Sequence, residues 1–502
     1  MTHSLCKKLL VANRGEIALR VMRTASELGI STVAVYSDAD RNALHTRRAD
    51  VALHIGGSAP SESYLCGERI LQVAKEAGCD AVHPGYGFLA ENAAFAEACE
   101  AAGITFIGPP ANAIRQMGDK VEARRVALKA GVPLVPGLEE DVADIETLKA
   151  KAAEIGYPVM LKAAAGGGGK GIRLVEAESD LEEADCLARA EAASSFGDDR
   201  VYLEKFVNDP RHVEIQVMAD QHGKVVHYGE RECSVQRRHQ KLLEETPCAV
   251  MTPELREKMG VAACRLATEV AYVGAGTVEF LYSRGEFYFL EMNTRLQVEH
   301  PITEMCYGVD LVAEQLRVAA GMPVADALPP SGHAIEVRIN AEDPVTFLPS
   351  LGTITRLNMP GGPGVRLDAV LYRGLEVTPF YDSMLGKLIV HADDRPRAIA
   401  RMRRALGELR IIGVKTSMPA CLRVLDHEGF ACGEYDTSIL TQVNNAVAEE
   451  LEELAALAAA VAKYRGTERI EGPASTGGDG SSVSPWVLAD RLDRLGRRRS
   501  RR

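Results

Sequence analysis

The stretch KAAAGGGGKGIRLV, which begins at Lys162, places a run of glycines between two apolar segments. Each glycine loses conformational entropy when it becomes ordered, so such a run limits what the surrounding chain can form. The residues before it, from Tyr157 to Leu161, and those after it, from Ile172 to Val175, have the composition of strands. The segment is therefore predicted to be a strand, a glycine loop and a returning strand, which together form a hairpin lid.

Glycine loops of this kind suit a polyanion, because bare backbone N–H groups can approach phosphate closely. The P-loop pattern is not met, since Gly171 rather than Ser or Thr follows Lys170. Gly166, Gly168 and Gly171 satisfy G-x-G-x-x-G, but a strand rather than a helix follows, which excludes a Rossmann turn. A flexible surface linker remains the alternative, and the flanking lysines favour a nucleotide lid.

The first 115 residues alternate between strand and helix patterns. A strand from Lys8 to Ala12, a helix from Ile17 to Leu28 and a strand from Thr32 to Tyr36 form a βαβ unit. The alternation continues, so an α/β layer with a parallel sheet is expected. The turn from His83 to Phe88 follows a short apolar strand, where open α/β sheets often carry functional loops, although an ordinary turn has the same pattern.

Composition limits the class of protein. The 502 residues suffice for about three or four domains, and 46% hydrophobic and 25% charged residues are typical of a globular protein. A net charge of -12 argues against general nucleic-acid binding. The eleven cysteines contain no C-x-x-C pair, which indicates reduced thiols and a cytoplasmic location. We find no targeting segment and no run of membrane-spanning length, so no membrane partner is expected.

The segment EMNTRLQVEH, from Glu291, is the strongest sign of chemistry. It follows two alternating strands, so Glu279 on one strand can face Glu291 and Asn293 on the next across a hairpin. Two carboxylates and an amide oxygen without a thiolate suit Mg²⁺ or Mn²⁺ bound to triphosphate oxygens. Together with the glycine lid, this predicts a metal–nucleotide site that is not a P-loop.

Three other polar features are less specific. His212, Glu214 and Gln216 alternate with apolar residues and share one face of a strand, a face that usually meets water. The run from Gln236 to Lys241 resembles a solvated loop, and Lys120 at the start of a helix is either solvated or paired with phosphate.

Eight motifs follow one another along the chain: ANRGEIA, HPGYGFLAEN, KAAAGGGGKG, RHVEIQV, CSVQRRHQKLLEETP, EMNTRLQVEHPITE, RINAED and FYDSMLGKLIV. This ordered set resembles the biotin carboxylase family, the ATP-grasp subunit or domain of acetyl-CoA, propionyl-CoA and pyruvate carboxylases. The likeness extends from about residue 7 to about residue 440. Ile172 replaces a commoner methionine beside the lid, and no catalytic position departs from the family pattern.

The resemblance implies a fold and domain limits. The fold is α/β, or α+β overall, with a Rossmann-like pre-ATP-grasp domain, an ATP-grasp domain with a mobile glycine-rich lid, and a C-terminal biotin carboxylase α/β domain. The expected limits are 1–115, 116–330 with the lid at about 135–205, and 331–446. Residues 447–502 are expected to form a helix, a flexible linker and a docking tail, or a disordered one.

The resemblance also implies roles for individual residues. The implied phosphate contacts of ATP are Lys120, Lys162 and His212, and the implied lid that closes over them is Gly166, Gly167, Gly168 and Gly169. On the adenine side the implied contacts are Glu204 and Lys205, and on the ribose side they are Gln236 and His239. The implied magnesium or manganese ligands are Glu279, Glu291 and Asn293. The implied bicarbonate pocket is Lys241, Arg295, Gln297 and the backbone at Val298, with Glu299 as the general base, and the implied biotin contacts are Tyr86 and Arg338.

The implied reaction is the ATP-dependent carboxylation of biotin with bicarbonate through carboxyphosphate. Glu299 can accept the bicarbonate proton, Arg295 can bind a small planar anion through two hydrogen bonds, and Arg338 can stabilise the biotin enolate. Because water destroys carboxyphosphate, a closing lid that excludes solvent fits this chemistry.

The expected partners are a biotin carboxyl carrier protein and a carboxyltransferase on separate chains, because no biotinyl-lysine motif occurs in the sequence. A homodimer is expected from the family likeness, and the final acceptor is an acyl-CoA, with acetyl-CoA favoured, or pyruvate. Two alternatives remain open: another ATP-grasp carboxylate or carbamoyl ligase, and a regulatory nucleotide-binding protein without turnover. The first would not need Arg338 and Tyr86, and the second would not need Glu299 and Lys241.

Overall fold

The computed structural model describes residues 5–137, 144–163, 171–237 and 240–443. The predicted lid glycines from 166 to 169, His239, and the predicted helix, linker and tail at 447–502 lie outside these described residues.

The N-terminal part forms the predicted parallel α/β layer. Its strands are β1 (Lys8–Val11), β2 (Ser31–Ser37), β3 (Val51–Gly56), β4 (Ala81–His83) and β5 (Thr105–Phe106), in the order β3-β2-β1-β4-β5. Its helices are α1 (Gly15–Glu27), α2 (Leu44–Arg48), α3 (Gly67–Glu76), α4 (Ala93–Ala101) and α5 (Ala111–Gly118), with 3-10 turns at Asp38–Asp40 and Pro60–Glu62. The predicted first helix differs from α1 by one or two residues at each end, the usual uncertainty of helix limits.

The strand order reverses between β1 and β4, and this reversal places two loops at the same edge of the sheet. Loops at such a reversal commonly form ligand sites in open α/β sheets. The Asn13 side chain after β1 donates to the Pro84 carbonyl at 2.7 Å and to the Tyr86 carbonyl at 2.8 Å. These bonds fix the loop that carries Tyr86.

A small antiparallel sheet follows, with the predicted strand–loop–strand hairpin at its centre. It contains β6 (Val159–Ala163), β7 (Ile172–Val175) and β8 (Val201–Lys205), in the order β7-β6-β8, with helices α6 (Lys120–Lys129), α7 (Ile145–Ile155) and α8 (Glu178–Phe196). Asp119 caps α6 by accepting from the Val121 and Glu122 N–H groups, which confirms a helix beginning at Lys120. The β6–β7 pairing aligns Lys162 with Ile172, so both strands of the predicted hairpin are present.

The remaining strands and helices complete the described chain. The strands are β9 (Arg211–Ala219), β10 (Val225–Arg237), β11 (Gln240–Thr246), β12 (Gly274–Ser283), β13 (Glu286–Asn293), β14 (His333–Asn340), β15 (Gly352–Thr353), β16 (Arg356–Asn358), β17 (Val365–Ala369), β18 (Glu376–Val377), β19 (Met384–Ala392) and β20 (Arg410–Ile412). The helices are α9 (Pro253–Glu269), α10 (His300–Tyr307), α11 (Leu311–Ala319), α12 (Arg395–Glu408), α13 (Met418–Asp426) and α14 (Glu428–Cys432).

Most of these strands belong to one antiparallel sheet in the order β13-β12-β9-β10-β11-β14-β19-β17. The sheet crosses the predicted domain limit at residue 330, because β11 pairs directly with β14. Buried apolar residues of β14 and β19 pack with those of α12 and α13 in one cluster, and α9 covers the other half of the sheet. Among the helices of the described ranges, none has the length and apolar character needed to cross a membrane.

Candidate active site

A cavity of about 990 Å³ lies where the parallel sheet, the small sheet and the large sheet meet, within the size range of ligand sites. Its lining contains every predicted site residue that belongs to the described part of the chain. These are Tyr86, Lys120, Lys162, Glu204, Lys205, His212, Gln236, Lys241, Glu279, Glu291, Asn293, Arg295, Gln297, Val298, Glu299 and Arg338.

The polar face of β9 does not meet water, contrary to the usual behaviour of such strands. His212, Glu214 and Gln216 are all buried. The reason is Arg231 on β10, a fully buried arginine that donates to Glu214 Oε1 at 2.5 Å and to Gln216 Oε1 at 2.6 Å. A buried charge needs such partners, so this part of the sheet is a polar core beneath the cavity.

Lys241 on β11 connects three carboxylates at the centre of the site. Its Nζ lies 2.5 Å from Glu214 Oε2, 2.9 Å from Glu279 Oε1 and 2.7 Å from Glu299 Oε1. Burial opposes the charged amine, but the carboxylates outweigh it and raise the pKa of Lys241 well above its usual value. The amine is therefore a permanent cation facing the cavity.

Glu299 is held between two cations from different strands. Besides Lys241, Arg338 on β14 reaches it, with Nη2 at 2.9 Å from Glu299 Oε2 and Nε at 2.6 Å from Glu244 Oε1. Burial alone would raise the pKa of Glu299, yet Lys241 and Arg338 hold it below its usual range. Glu299 is thus ionised, in a turn immediately before α10.

Arg295 also lines the cavity. Its Nε is 2.9 Å from Glu91 Oε2, and its Nη2 donates to Asn293 Oδ1 at 2.9 Å. Glu91, which was not predicted, also accepts from the Thr294 N–H at 3.1 Å. The loop after β4 therefore orients the guanidinium.

Two carboxylates face each other across the predicted hairpin. The β12–β13 register aligns Glu279 with Glu291, which confirms the predicted pairing. Burial, and then the Glu279 charge, raise the pKa of Glu291, and Glu291 forms no ion pair with a described residue. Neighbouring carboxylates of this kind fit a hard divalent cation.

His212 and Glu214 extend the possible ligand set. His212, Glu214 and Glu279 offer ligand atoms that lie within 4.8 Å of one another. A second group of this kind is formed by Glu214, Cys233 and Glu299. Glu214 was not predicted as a site residue, although it belongs to both groups.

At the other end of the cavity, Glu204 joins two cations. Both Arg124 on α6 and Lys162 on β6 donate to its carboxylate, and all three side chains are buried. Lys205 turns away instead: its Nζ donates to the Gly156 carbonyl at 2.7 Å and to the Tyr157 carbonyl at 3.1 Å. Only the backbone of Lys205 is thus left to face a ligand.

Tyr86 and Gln236 occupy two further positions on the wall. The Tyr86 hydroxyl is buried without a hydrogen-bond partner among the described residues, which leaves a donor for a ligand. Gln236, near the end of β10, lies with Nε2 at 3.2 Å from His212 Nδ1.

Several residues of the site escaped the sequence analysis: Glu91, Arg124, Glu214, Arg231 and Glu244. Glu91 stands inside the HPGYGFLAEN motif, and Glu244 stands inside the CSVQRRHQKLLEETP motif. The sequence could have identified Glu214, because it lies on the same strand face as the predicted site residue His212. Arg231 had no signal of its own, because its neighbours come from distant segments.

Comparison with known families matches the chain in three successive parts. Residues 5–114 match the biotin carboxylase N-terminal domain, residues 119–327 the ATP-binding domain of the carbamoyl-phosphate synthase L chain, and residues 336–442 the biotin carboxylase C-terminal domain.

Curated relatives span nearly the same length. The chain is 53% identical over 440 residues to biotin carboxylase 1 of Bacillus subtilis, covering 86% of this chain and 98% of that one. It is also 53% identical over 431 residues to the biotin carboxylase of Haemophilus influenzae, covering 85% of this chain and 96% of that one.

Solved structures agree with the described fold. A biotin carboxylase–β,γ-ATP complex from Campylobacter jejuni superposes with a TM-score of 0.85 at 47% identity, covering 87% of this chain and 99% of that one. A second structure is the biotin carboxylase domain dimer of Hydrogenobacter thermophilus 2-oxoglutarate carboxylase in complex with MgADP, ADP and bicarbonate. It superposes with a TM-score of 0.85 at 48% identity, covering 88% of this chain and 99% of that one.

Proposed function

Because this chain belongs to the biotin carboxylase family, we propose that the cavity described above carries out each step of ATP-dependent biotin carboxylation with the residues predicted for it. The observation that carries this proposal is Glu299, an ionised carboxylate held between Lys241 and Arg338 at the wall of a large cavity.

Glu299 acts as the general base. Bicarbonate attacks the γ-phosphorus of ATP through one oxygen, its proton passes to Glu299, and the bond from that phosphorus to the ADP oxygen breaks. The products of this step are carboxyphosphate and ADP. Because the pKa of Glu299 lies below its usual range, the carboxylate is available at neutral pH but retains the proton only weakly.

Bicarbonate binds among Lys241, Arg295, Gln297 and the backbone of Val298. The planar guanidinium of Arg295 can donate two parallel hydrogen bonds to a planar anion, which an ammonium cannot. Gln297 Nε2 donates to Glu279 Oε1 at 2.8 Å, and Gln297 Oε1 accepts from Arg231 at 3.1 Å. These bonds fix its amide at the floor of the pocket.

ATP binds along the cavity between the small sheet and β12–β13. Lys120, Lys162 and His212 contact its phosphates, Glu204 and the Lys205 backbone its adenine, and Gln236 and His239 its ribose, with the glycines at 166–169 closing over it. Mg²⁺ or Mn²⁺ held by Glu279, Glu291 and Asn293 would neutralise charge on the phosphate oxygens. His212 supports this charge pattern, since Glu279 raises its pKa against the effect of burial.

Biotin enters beside Tyr86 and Arg338. The unpartnered Tyr86 hydroxyl can donate to the biotin ureido oxygen, and Arg338 stabilises the negative charge that develops there when the ureido nitrogen loses its proton to phosphate. Carboxyphosphate supplies the CO₂ that this nitrogen attacks.

The partners are a biotin carboxyl carrier protein and a carboxyltransferase, and the protein works as a homodimer. The dimeric domain structure from Hydrogenobacter thermophilus supports the last point. The domain limits, the cytoplasmic location and the preference for acetyl-CoA stay predictions.

The proposal is tested by ADP release from purified protein with ATP, Mg²⁺ and bicarbonate, with and without free biotin. Glu299→Gln is expected to reduce the biotin-stimulated rate by about 10²- to 10⁴-fold, while Glu100→Gln on the exposed end of α4 leaves it unchanged. An active ATPase without biotin stimulation would instead support another ATP-grasp ligase. ATP binding without any turnover would support a regulatory role.

A further inference from the structure

Two neighbouring strands hold two consecutive residues of the active-site turn. Arg338 on β14 and Lys387 on β19 are directly opposite each other in the sheet. Arg338 binds the Glu299 carboxylate, and the Lys387 Nζ donates a hydrogen bond to the Val298 carbonyl. The turn that carries the proposed base is thus attached to the sheet at two adjacent points.

Lys387 is an unusual residue for this position, because its side chain is completely buried. Lysine is rarely found in such a place unless it is paired. Its Nζ lies 3.4 Å from Glu16 Oε1 on α1 and 5.7 Å from the centre of the Tyr86 ring. The lysine therefore connects the parallel layer, the large sheet and the turn at residues 298–299.

Three buried carboxyl groups lie near this amine. Asp368 on β17 is directly opposite Lys387 in the sheet, and its Oδ2 is bound by Arg366 at 2.7 Å. Burial raises the pKa of Glu16 to about 7, although Lys387 opposes the shift. Burial also raises the pKa of Glu336, the next inward-facing residue of β14, well above its usual value. Neither of these last two carboxyl groups forms a hydrogen bond among the described residues. Among the described residues, the hydrogen bond that the Lys387 amine donates goes to the Val298 carbonyl.

We propose that Lys387 is a positioning residue, which holds the Val298 peptide so that its N–H group and the adjoining Glu299 carboxylate keep their places in the bicarbonate pocket. This inference rests on the proposed bicarbonate role of the Val298 backbone. Lys387 contacts the turn through the Val298 carbonyl and does not belong to the cavity lining, so it would act on substrate through that peptide. A displacement of about 1 Å can reduce a rate by about 10²-fold, so the effect of losing this bond is measurable.

The test must separate positioning from stability. Lys387→Met removes the amine but leaves Glu16 buried without its partner, so the double variant Lys387→Met/Glu16→Gln also removes the opposing charge. Arg256→Gln is the matched control, because Arg256 pairs with the buried Glu230 at 2.6 Å, away from the cavity lining. Thermal unfolding and the KM values for bicarbonate and for ATP are measured on each protein without biotin.

We expect the double variant to recover most of the unfolding temperature lost in Lys387→Met, while its KM for bicarbonate stays raised roughly tenfold or more. Its KM for ATP stays within about twofold of the parent value, and Arg256→Gln loses stability without a change in either KM. A folded double variant with the parent KM for bicarbonate would overturn the inference.

A parallel Arg295→Gln variant distinguishes this failure from a failure of the proposed function. If Arg295→Gln raises the KM for bicarbonate and the Lys387 variants do not, the pocket is correct and the positioning role is wrong. If none of these variants changes that KM, the bicarbonate pocket itself is wrongly placed and the inference falls with it.

Discussion

Arg338 and Glu299 form an ion pair of 2.9 Å between Nη2 and Oε2, and both side chains are largely shielded from solvent. Since burial raises the pKa of a carboxyl group, the arginine is one of three cations, with Lys241 and Arg231, that hold the pKa of Glu299 below its usual value. The pair therefore links the pH dependence of the reaction to a residue that is also proposed to contact biotin.

Arg338→Gln should raise the pKa of Glu299, because only Lys241 and Arg231 of the three cations that oppose the effect of burial then remain. A higher pKa protonates the base at a higher pH, so the acid limb of the pH profile should move upward. The profile is measured as bicarbonate-dependent ADP release without biotin, at a constant concentration of bicarbonate ion, from about pH 8 down to about pH 3.5, because the acid limb of the parent lies below the usual glutamate pKa of 4.5. Arg373→Gln, at an exposed position, serves as the control, and an unmoved acid limb would contradict the prediction.

The acidic hairpin leads to a metal prediction. Glu291→Gln removes one of two facing carboxylates, so the Mg²⁺ concentration for half-maximal ADP release should increase by about tenfold or more. Glu286→Gln lies on the same hairpin but at its exposed end, and should leave the Mg²⁺ dependence unchanged. Equal Mg²⁺ curves for both variants would show that Glu291 is not a ligand.

The nucleotide end of the cavity depends on Arg124, a residue that the sequence analysis missed. Glu204 is bound by both Arg124 and Lys162. In Arg124→Met the buried Glu204 carboxylate keeps Lys162 but loses the arginine, so it should hold the lysine more strongly and draw it away from phosphate. The KM for ATP should rise by roughly tenfold, the effect of losing about 1.4 kcal/mol of binding, with the KM for bicarbonate unchanged.

The neighbouring variant Arg125→Met is the matched control, because Arg125 is exposed and, among the residues that the structure describes, forms its ion pair with Glu122 on the same helix. If both arginine variants raise the KM for ATP equally, the effect comes from the charge of α6 and not from the Glu204 contact.

Glu245 on β11 should give the protein acid-sensitive stability. Burial disfavours its charge, but hydrogen bonds from His333 and Arg395 lower its pKa from 4.5 to about 2. A carboxyl group with a depressed folded-state pKa stabilises the fold fully above its unfolded value, and the contribution is lost as the pH falls from about 4.5 toward about 2.

Glu245→Gln should therefore lower the free energy of unfolding by up to roughly 3 kcal/mol near neutral pH. The difference from the parent should narrow below about pH 4.5, as followed by urea unfolding at several pH values. Glu434→Gln, at an exposed position, should show no such difference. A gap that stays constant into acid would refute the assignment of this stability to the Glu245 charge.

The parts of the site that local patterns describe were predictable from the sequence. The pairing of Glu279 with Glu291 follows from alternation along two strands joined by a short turn, and the structure confirms it. The helix beginning at Lys120 was equally accessible, because Asp119 is a strong N-cap residue.

The missed residues depend on contacts between distant segments. The polar face of β9 resembles a solvated strand, but Arg231 from β10 and Lys241 from β11 make it part of a buried network. Lys387 lies in a motif that the resemblance included, but its bond to Val298 joins residues 89 positions apart. Alternation along one strand carries no information about such a partner.

The continuous sheet also bears on how this protein can be divided. In the described structure β11 is bonded on one side to β10 and on the other to β14. A fragment that ends near residue 330 would expose the β14-facing row of peptide groups on β11, beside the apolar Leu243. An unpaired strand edge of this kind can pair with other chains. The ATP-binding portion expressed by itself should therefore self-associate, because the C-terminal strands that satisfy this edge in the full chain are missing.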